Sequence, residues 1–264
     1  NMTPFVGDWG ICLPIMGAII VGGLGFPVLH QLTRMYRQPH QWSMHTRMVL
    51  FGTAVLLVLS SIYVTVLEWN NPKTLGELPW HSRILAGAFQ AVQTRTAGFN
   101  SVDIGSLHDS TLFGMDMLMF IGGGPAGTAG GIKITTFFVL LFIAWAEIRG
   151  DSAVNIFGRR LSRSLHRQAI TVALLASAVV GLATLALLVL SPFSLDQSLF
   201  EVISAFGTVG LSTGITAQLN PACQLVLIAL MIVGRLGPIT VATALAAPTT
   251  KRHYQLPKER PIIG

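Results

Sequence analysis

Long apolar runs alternate with short polar stretches along the chain. The runs cover about 10–30, 48–67, 111–145, 169–190 and 222–246. An α-helix needs ~20 apolar residues to cross a bilayer, so each run is long enough, and 111–145 is too long for one straight span. Shorter segments at 81–92 and 196–206 precede the third and fifth runs and cannot cross. The pattern therefore predicts an all-α membrane protein with spans and shorter helices between them.

The order of elements occurs twice: a span, a short helix, a glycine-containing loop and a second span. The first loop contains Thr96, Ala97, Gly98 and Phe99, and the second contains Thr208, Val209, Gly210 and Leu211. Gly98 lies 24 residues before Gly122, and Gly210 lies 24 residues before Gly234. Non-helical backbone at membrane depth is tolerated only where protein buries it or where it lines an aqueous cavity. Two such loops in matching positions indicate a shared aqueous path.

This repetition divides the chain into four parts. Residues 1–36 hold the inner span of a preceding repeat, because Val21–Gly25 resembles the glycine-rich start at Ile121. Residues 46–149 form a repeat with a broken second span, 166–248 form another repeat, and 249–264 form a cytoplasmic tail. Since the chain opens inside a repeat, at Asn1 and not at a methionine, we expect it to begin within a longer protein.

Each loop has a chemistry that suits a dehydrated alkali cation. A row of backbone carbonyls can replace the water around such an ion, and a central glycine lets the backbone turn its oxygens toward an axis. We therefore predict that the carbonyls of Thr96–Phe99 and Thr208–Leu211 bind the ion. The short helices would direct their negative carboxyl ends at the same path. The alternative is that each loop is a plain glycine turn between a helix and a span.

A glycine-rich stretch, residues 122–133, interrupts the third apolar run. Its Gly-x-Gly-x-x-Gly spacing formally fits a dinucleotide-binding fingerprint, but that motif needs a strand, a turn and a helix in a soluble sheet. Here the flanks are membrane-grade apolar runs, and the P-loop pattern is absent too. We interpret the stretch as a flexible gate, with a packing kink as the alternative. The predicted gate residues are Gly122, Gly123, Gly124, Gly127, Thr128, Gly130, Gly131, Lys133 and Arg235.

Arg235 is the only charged residue of the last predicted span. A charge at the bilayer centre costs ~2.5–3.5 kcal/mol even on insertion scales, so a function is expected. We predict that this cation repels ions in the path and donates to carbonyls or hydroxyls of the 122–133 stretch. The alternative is a structural pair with an acid. Arg95, inside the first loop, is expected to be structural and to pair with an acid such as Glu201.

Composition and charge place the chain in a membrane. Hydrophobic residues make up 52% and charged residues 11%, which fits a multi-pass protein of the lipid bilayer. The basic clusters at 34–47, 149–167 and 251–260 alternate with loops that carry acids, which is the positive-inside pattern and not a nucleic-acid surface. Two cysteines give no disulfide framework or metal cluster. We find no catalytic constellation, so we predict no enzyme and no cofactor.

The motifs Gln93–Asn100, Gly122–Lys133 and Phe206–Ser212 together resemble the Ktr/Trk/HKT superfamily of potassium transporters, most closely the membrane subunits of bacterial Ktr systems. The resemblance covers essentially the whole chain. It implies four repeats around one pore, of which this chain would supply the inner span of the second, the third and the fourth. It implies potassium uptake across the plasma membrane, an intramembrane gating loop and a gating arginine at Arg235. Potassium would be the substrate, with sodium stimulation (symport) as in relatives.

The same resemblance implies several partners. These are the missing N-terminal half of the protein, a second copy in a homodimer, and a cytosolic nucleotide-binding ring of the KtrA type. Two other classes stay open from the residues alone. An alternating-access carrier of another small solute would aim half-helix amino ends at its substrate. An intramembrane enzyme or assembly subunit would lack a pore.

Overall fold

Nine α-helices make up most of the described chain. The computed structural model describes residues 2–151 and 153–237. In order, the helices are α1 (Trp9–Leu24), α2 (Phe26–Met35), α3 (Met44–Glu68), α4 (Trp80–Gln93), α5 (Asp109–Phe120), α6 (Ile134–Arg149), α7 (Arg163–Leu190), α8 (Leu195–Gly207) and α9 (Pro221–Leu236). A small antiparallel hairpin, β1 (Asn155–Ile156) and β2 (Arg159–Arg160), joins α6 to α7. The predicted all-α class is confirmed.

Two single helices, α3 with 25 residues and α7 with 28, are long and apolar enough to cross a bilayer. Helices α1 and α2 pass the same test only as a pair, with a bend of 99° between them. The run 10–30, predicted as one span, is thus divided between two helices, because the chain turns at Gly25, whose φ of 88° suits glycine. The run 111–145 is divided into α5 and α6, as predicted. For the last span, 222–246, the part beyond Gly237 lies outside the described residues.

Helices α8 and α9 begin where the sequence supplies side chains that satisfy free backbone N–H groups. Ser194 and Gln197 form a reciprocal capping box at the start of α8. Asn220 caps α9 by accepting a hydrogen bond from Cys223 N at 2.8 Å, and Pro221 occupies the first helical position. These caps fix the direction in which each helix enters the molecule.

Equivalent helices pack in the same way in the two repeats. The short helix α4 packs against α3, the span before it, and against α1 of the preceding unit. The short helix α8 packs likewise against α7 and against α5 of the preceding unit, and also against α9. Each short helix therefore lies between its own repeat and the one before it, which brings the loops that follow α4 and α8 toward each other.

The interior holds large apolar side chains, while the outer faces of the spans stay apolar and uncovered. Phe200, Phe206 and Met119 are fully buried where α5, α7, α8 and α9 meet. On α7, Leu174 and Leu182 remain 66% and 68% exposed. Such faces are unfavourable in water but suit a hydrocarbon solvent, so they fit helices that lie in lipid.

A buried acid fixes the outer end of α3. Glu68 is fully buried, and its carboxylate accepts hydrogen bonds from Asn71 Nδ2 and Thr74 Oγ1, each at 2.7 Å. The other oxygen accepts from His108 N at 3.0 Å and Thr111 Oγ1 at 2.5 Å. Glu68 thus links the end of α3 to the start of α5. The sequence indicated only an acid in an outer loop, because these partners lie up to 43 residues away.

Candidate functional site

The two predicted loops touch at their glycines. A Cβ atom built on Gly98 would lie 2.5 Å from the Val209 carbonyl oxygen and 3.1 Å from Gly210 Cα. A Cβ atom on Gly210 would lie 3.6 Å from Gly98 Cα. No side chain could fit at Gly98 without moving this backbone. The structure therefore brings together loops that are more than a hundred residues apart in the chain.

The same unusual backbone conformation occurs at matching positions of both loops. Thr96 has a φ of 63° and Gly98 a φ of 72°, while Thr208 has 53° and Gly210 has 90°. A left-handed conformation costs a non-glycine residue on the order of 1–3 kcal/mol and tends to occur at functional sites. Its recurrence at both threonines is the structural signature that the two loops share.

The first loop is held by the end of α4. Gln93 accepts two bonds, one at its backbone oxygen from Ala97 N at 3.4 Å and one at its side-chain oxygen from Phe99 N at 2.9 Å. Several buried polar atoms beside this loop have no hydrogen-bond partner within the described residues, among them the Gln90 amide and Arg95 Nη1. The first loop is thus fixed by few bonds.

The second loop is held more strongly, by a carboxylate of α8. Glu201, only 4% exposed, accepts from Ser212 Oγ, from Thr213 N at 3.2 Å and from Thr216 Oγ1 at 2.8 Å. The carboxylate that was expected to pair with Arg95 is therefore used to fasten the second loop. Sequence reasoning missed this role of Glu201, since a single acid in a short helix has no recognisable motif.

One predicted ion-binding oxygen already has a protein partner. Ser204 Oγ donates to the Leu211 carbonyl at 2.6 Å, and Val209 N donates to the Ser204 carbonyl at 2.8 Å. A carbonyl oxygen has two acceptor positions, so one of those of Leu211 is occupied. Leu211, at the end of the second loop, is thereby hydrogen-bonded to α8.

The glycine-rich stretch forms a closed loop between α5 and α6. Gly122 N donates to Ile132 O at 2.8 Å, and Ile132 N donates to Phe120 O at 3.2 Å, which joins the two ends of the loop. A Cβ atom on Gly130 would lie 2.5 Å from Thr208 Oγ1. The loop therefore touches the second predicted ion-binding loop directly.

The end of α1, next to the bend, binds the other side of the glycine-rich loop. Gly124 N donates to Gly23 O at 2.7 Å, and Thr128 N donates to Gly22 O at 3.2 Å. Because these are main-chain bonds at the broken end of α1, the loop and the bend are interlocked. Sequence reasoning missed this contact, since Gly22 and Gly23 lie about a hundred residues before their partners in the chain.

Two cationic side chains donate hydrogen bonds to successive backbone carbonyls of the glycine-rich loop. Lys133 Nζ donates to Ala129 O at 2.5 Å, and Arg235 Nη1 donates to Thr128 O. The predicted hydrogen bond from Arg235 to a carbonyl of this stretch is therefore present, and it crosses 107 residues of sequence. The end of α9 is thereby attached to the loop between α5 and α6.

The helical spans and the two apposed loops define an all-α membrane protein built from pore-loop repeats. A family model described as TrkH, cation transport protein, matches residues 1–253. The chain belongs to this family of cation transport proteins. Its similar proteins are transporters and not enzymes.

Named relatives agree with this assignment. The chain is 40% identical over 246 residues to the Ktr system potassium uptake protein B of Bacillus subtilis, covering 93% of this chain and 55% of that protein. It is 37% identical to the protein of the same name from Vibrio alginolyticus, covering 94% of this chain and 55% of that one. The chain thus spans about half the length of these relatives.

The fold also matches a solved structure. The potassium transporter TrkH from Vibrio parahaemolyticus superposes with a TM-score of 0.74 at 18% identity, covering 90% of this chain and 52% of that one. At this identity the match supports the fold alone.

Proposed function

We propose that the chain supplies part of a path for potassium uptake across the plasma membrane. The observation that carries the proposal is the contact of Gly98 with the Val209–Gly210 backbone, because it places two carbonyl-rich loops at one point. Backbone oxygens in that arrangement can take the place of an ion's water. The names of the relatives, potassium uptake proteins, agree with this substrate.

The proposed ion ligands are the carbonyls of Thr96, Ala97, Gly98 and Phe99 in one loop, and of Thr208, Val209, Gly210 and Leu211 in the other. The helices α4 and α8 end at these loops, so their partial negative charges favour a cation there. Two loops form only part of a ring. The remaining ligands would come from the missing N-terminal half.

The proposed gate is the glycine-rich loop, with Lys133 and Arg235 holding it across the path. Two cations beside the path would repel potassium as long as they hold the carbonyls of Thr128 and Ala129. Release of these bonds would free the loop and move positive charge. Regulation would then act by changing how often the loop is held.

The proposed working unit is larger than this chain. It comprises the third and fourth repeats (46–149 and 166–248), the inner span of the second (1–36), the cytoplasmic tail (249–264) and the missing N-terminal half. It further comprises a second copy in a homodimer and a cytosolic nucleotide-binding ring. Sodium would stimulate uptake.

Rubidium uptake by the full-length protein in liposomes tests the proposal. Uptake driven by a potassium gradient and competed by added potassium, but only weakly by sodium, is the expected result. Uptake of an unrelated solute with no rubidium flux would contradict it and would favour a carrier.

A further inference from the structure

Helix α2 presents two different faces. Its inner face packs on α3. Val28, which is fully buried, and the partly buried Leu32 belong to an apolar cluster that also contains Ile134 and Phe138 of α6. Gln31 adds a polar anchor, accepting from Ser43 N at 3.2 Å and Thr46 Oγ1 at 2.5 Å. The inner face of α2 is therefore fixed to the protein.

The outer face of α2 is basic and aromatic. Phe26, His30 and Arg34 follow one another at helical spacing on α2, and Arg37 lies in the turn just after the last helical residue, Met35. All four are exposed, with Phe26 at 72%. Tyr36, beside them, is 63% exposed. The chain contains no Asp or Glu between Asp8 and Glu68. This face thus carries positive charge with no acid from its own segment to balance it.

The bend sets the direction of this face. Helix α1, with 16 residues, is shorter than a full span. If α1 enters the bilayer along its normal, the bend of 99° directs α2 along the membrane plane, and its basic carboxyl end toward one membrane surface. The positive-inside pattern assigns that surface to the cytoplasm. An amphipathic helix with basic and aromatic side chains in this position matches the chemistry of anionic phospholipid headgroups.

The bend also joins α2 to the glycine-rich loop. Phe26 N, the first backbone group of α2, donates to Ala126 O at 3.2 Å. A Cβ atom on Gly25 would lie 2.3 Å from Pro125 O. A shift of α2 therefore cannot occur without moving the loop that it contacts.

We propose that α2 binds anionic phospholipid headgroups with its outer face and that this binding sets the position of the glycine-rich loop. The inference rests on the proposed function only for the consequence, which is lipid-dependent uptake. Each arginine near an anionic surface contributes on the order of a fivefold preference. Loss of both Arg34 and Arg37 should then weaken the lipid response roughly thirtyfold.

The test uses the full-length protein in phosphatidylcholine vesicles with and without phosphatidylglycerol. A nitroxide at Thr33→Cys, an exposed position between His30 and Arg34, reports collisions with oxygen and with a water-soluble nickel chelate. The two cysteines within this chain, Cys12 and Cys223, are buried, which favours labelling at Thr33→Cys over them, and any cysteine in the rest of the full-length protein is replaced by serine. Phosphatidylglycerol should lower the collision rate with nickel and raise that with oxygen.

Two matched double variants test whether the lipid response depends on the basic residues of α2 or on basic residues of the cytoplasmic side in general. Arg34→Gln/Arg37→Gln should weaken the lipid response of the label roughly thirtyfold, whereas Arg159→Gln/Arg160→Gln, on the hairpin, should keep it. Equal loss in both double variants would overturn the proposal. So would a label that is equally accessible, or equally covered by protein, in the two lipids.

Rubidium uptake in the same vesicles tests the connection to the loop. Uptake should depend on phosphatidylglycerol in the wild type and lose that dependence in Arg34→Gln/Arg37→Gln. A lipid-dependent label with lipid-independent uptake would overturn the connection. No uptake in either lipid would contradict the proposed function instead, and the label, which needs no transport, would still decide whether α2 binds lipid.

Discussion

Gly98 is the residue at which the smallest change should have a large effect. Gly98→Ala would place a methyl group 2.5 Å from Val209 O and force alanine into a left-handed conformation. That conformation alone costs about 1–2 kcal/mol. We expect rubidium uptake by the full-length protein to fall about tenfold or more, since 1.4 kcal/mol corresponds to a factor of ten.

The control for this change is Gly181→Ala in α7, where a Cβ atom would meet nothing within 4 Å. This variant should transport like the wild type, and helix propensity predicts slightly higher stability. An unaffected Gly98→Ala variant would remove the main support for the ion-binding loops.

Glu201 should matter because it fastens the second loop and not because it contacts an ion. Glu201→Gln replaces an acceptor of three hydrogen bonds by an amide with only one acceptor oxygen, and hydrogen bonds to charged groups contribute about 1.5–3 kcal/mol each. We expect a higher half-saturating potassium concentration and weaker discrimination against sodium. Flux assays with both ions measure this.

Glu77→Gln, at an exposed position, serves as the matched control. It should change neither quantity. If both variants discriminate between potassium and sodium like the wild type, the anchoring role of Glu201 is wrong.

The residues of the two loops could be selected from the sequence, but their supports could not. Gly98 and Gly210 can be recognised from the sequence because the repeat places each of them 24 residues before a second glycine, Gly122 and Gly234. Ser204 and Glu201 lie in no motif, and Gln93, although it opens the motif Gln93–Asn100, is given no role by the sequence alone. Each acts through a hydrogen bond whose partner depends on how the loop folds back. Side-chain chemistry alone does not specify that geometry.

At the scale of elements, the end of α9 and the 122–133 loop form one unit. Arg235→Ala removes the hydrogen bond to Thr128 O and a positive charge beside the proposed ion path. We expect faster rubidium uptake and weaker regulation, because the loop is held by fewer bonds. Measurement of the initial uptake rate in liposomes tests this.

Arg149→Ala, at the end of α6, is a suitable comparison. Its guanidinium lies 4.6 Å from the centre of the Trp145 ring and does not touch the loop. It should leave the rate unchanged. A rate in Arg235→Ala that equals the wild-type rate would exclude the gate assignment for this residue.

The connection between α3 and α5 depends on Glu68. Glu68→Gln leaves at least one buried donor among Asn71, Thr74, His108 and Thr111 without an acceptor, at a cost of about 1–3 kcal/mol. We expect a lower melting temperature in detergent with ion selectivity unchanged, since Glu68 contacts neither loop. A stable variant with altered selectivity would contradict this division of roles.

The helices show where sequence patterns succeed and fail. Apolar runs predicted α3 and α7 well, since length and composition suffice for a helix in lipid. The run 10–30 predicted a span but not its bend of 99°, because the Pro125–Gly127 backbone that packs against Gly25 lies about a hundred residues away in the sequence. The division of 111–145 was predictable since the glycines break it by themselves.

At the scale of the whole molecule, the outer surface should tolerate apolar changes and reject charge. Leu174 lies near the middle of α7 and is 66% exposed. Leu174→Arg should reduce the amount of folded protein in membranes, because a central arginine costs about 2.5–3.5 kcal/mol on insertion scales. Leu174→Phe should have little effect, and expression followed by size-exclusion chromatography compares the two.

Glu201 holds one loop with a carboxylate, whereas Gln93 holds the other with an amide. If both loops line one conduit, that conduit lacks true rotational symmetry. In a tetramer of identical chains, a substitution occurs at all four equivalent positions around the conduit. In this chain the repeats differ in sequence, so a substitution in one loop leaves the equivalent position of the other loop unchanged. Selection can therefore adjust ion preference in small increments, one quadrant at a time.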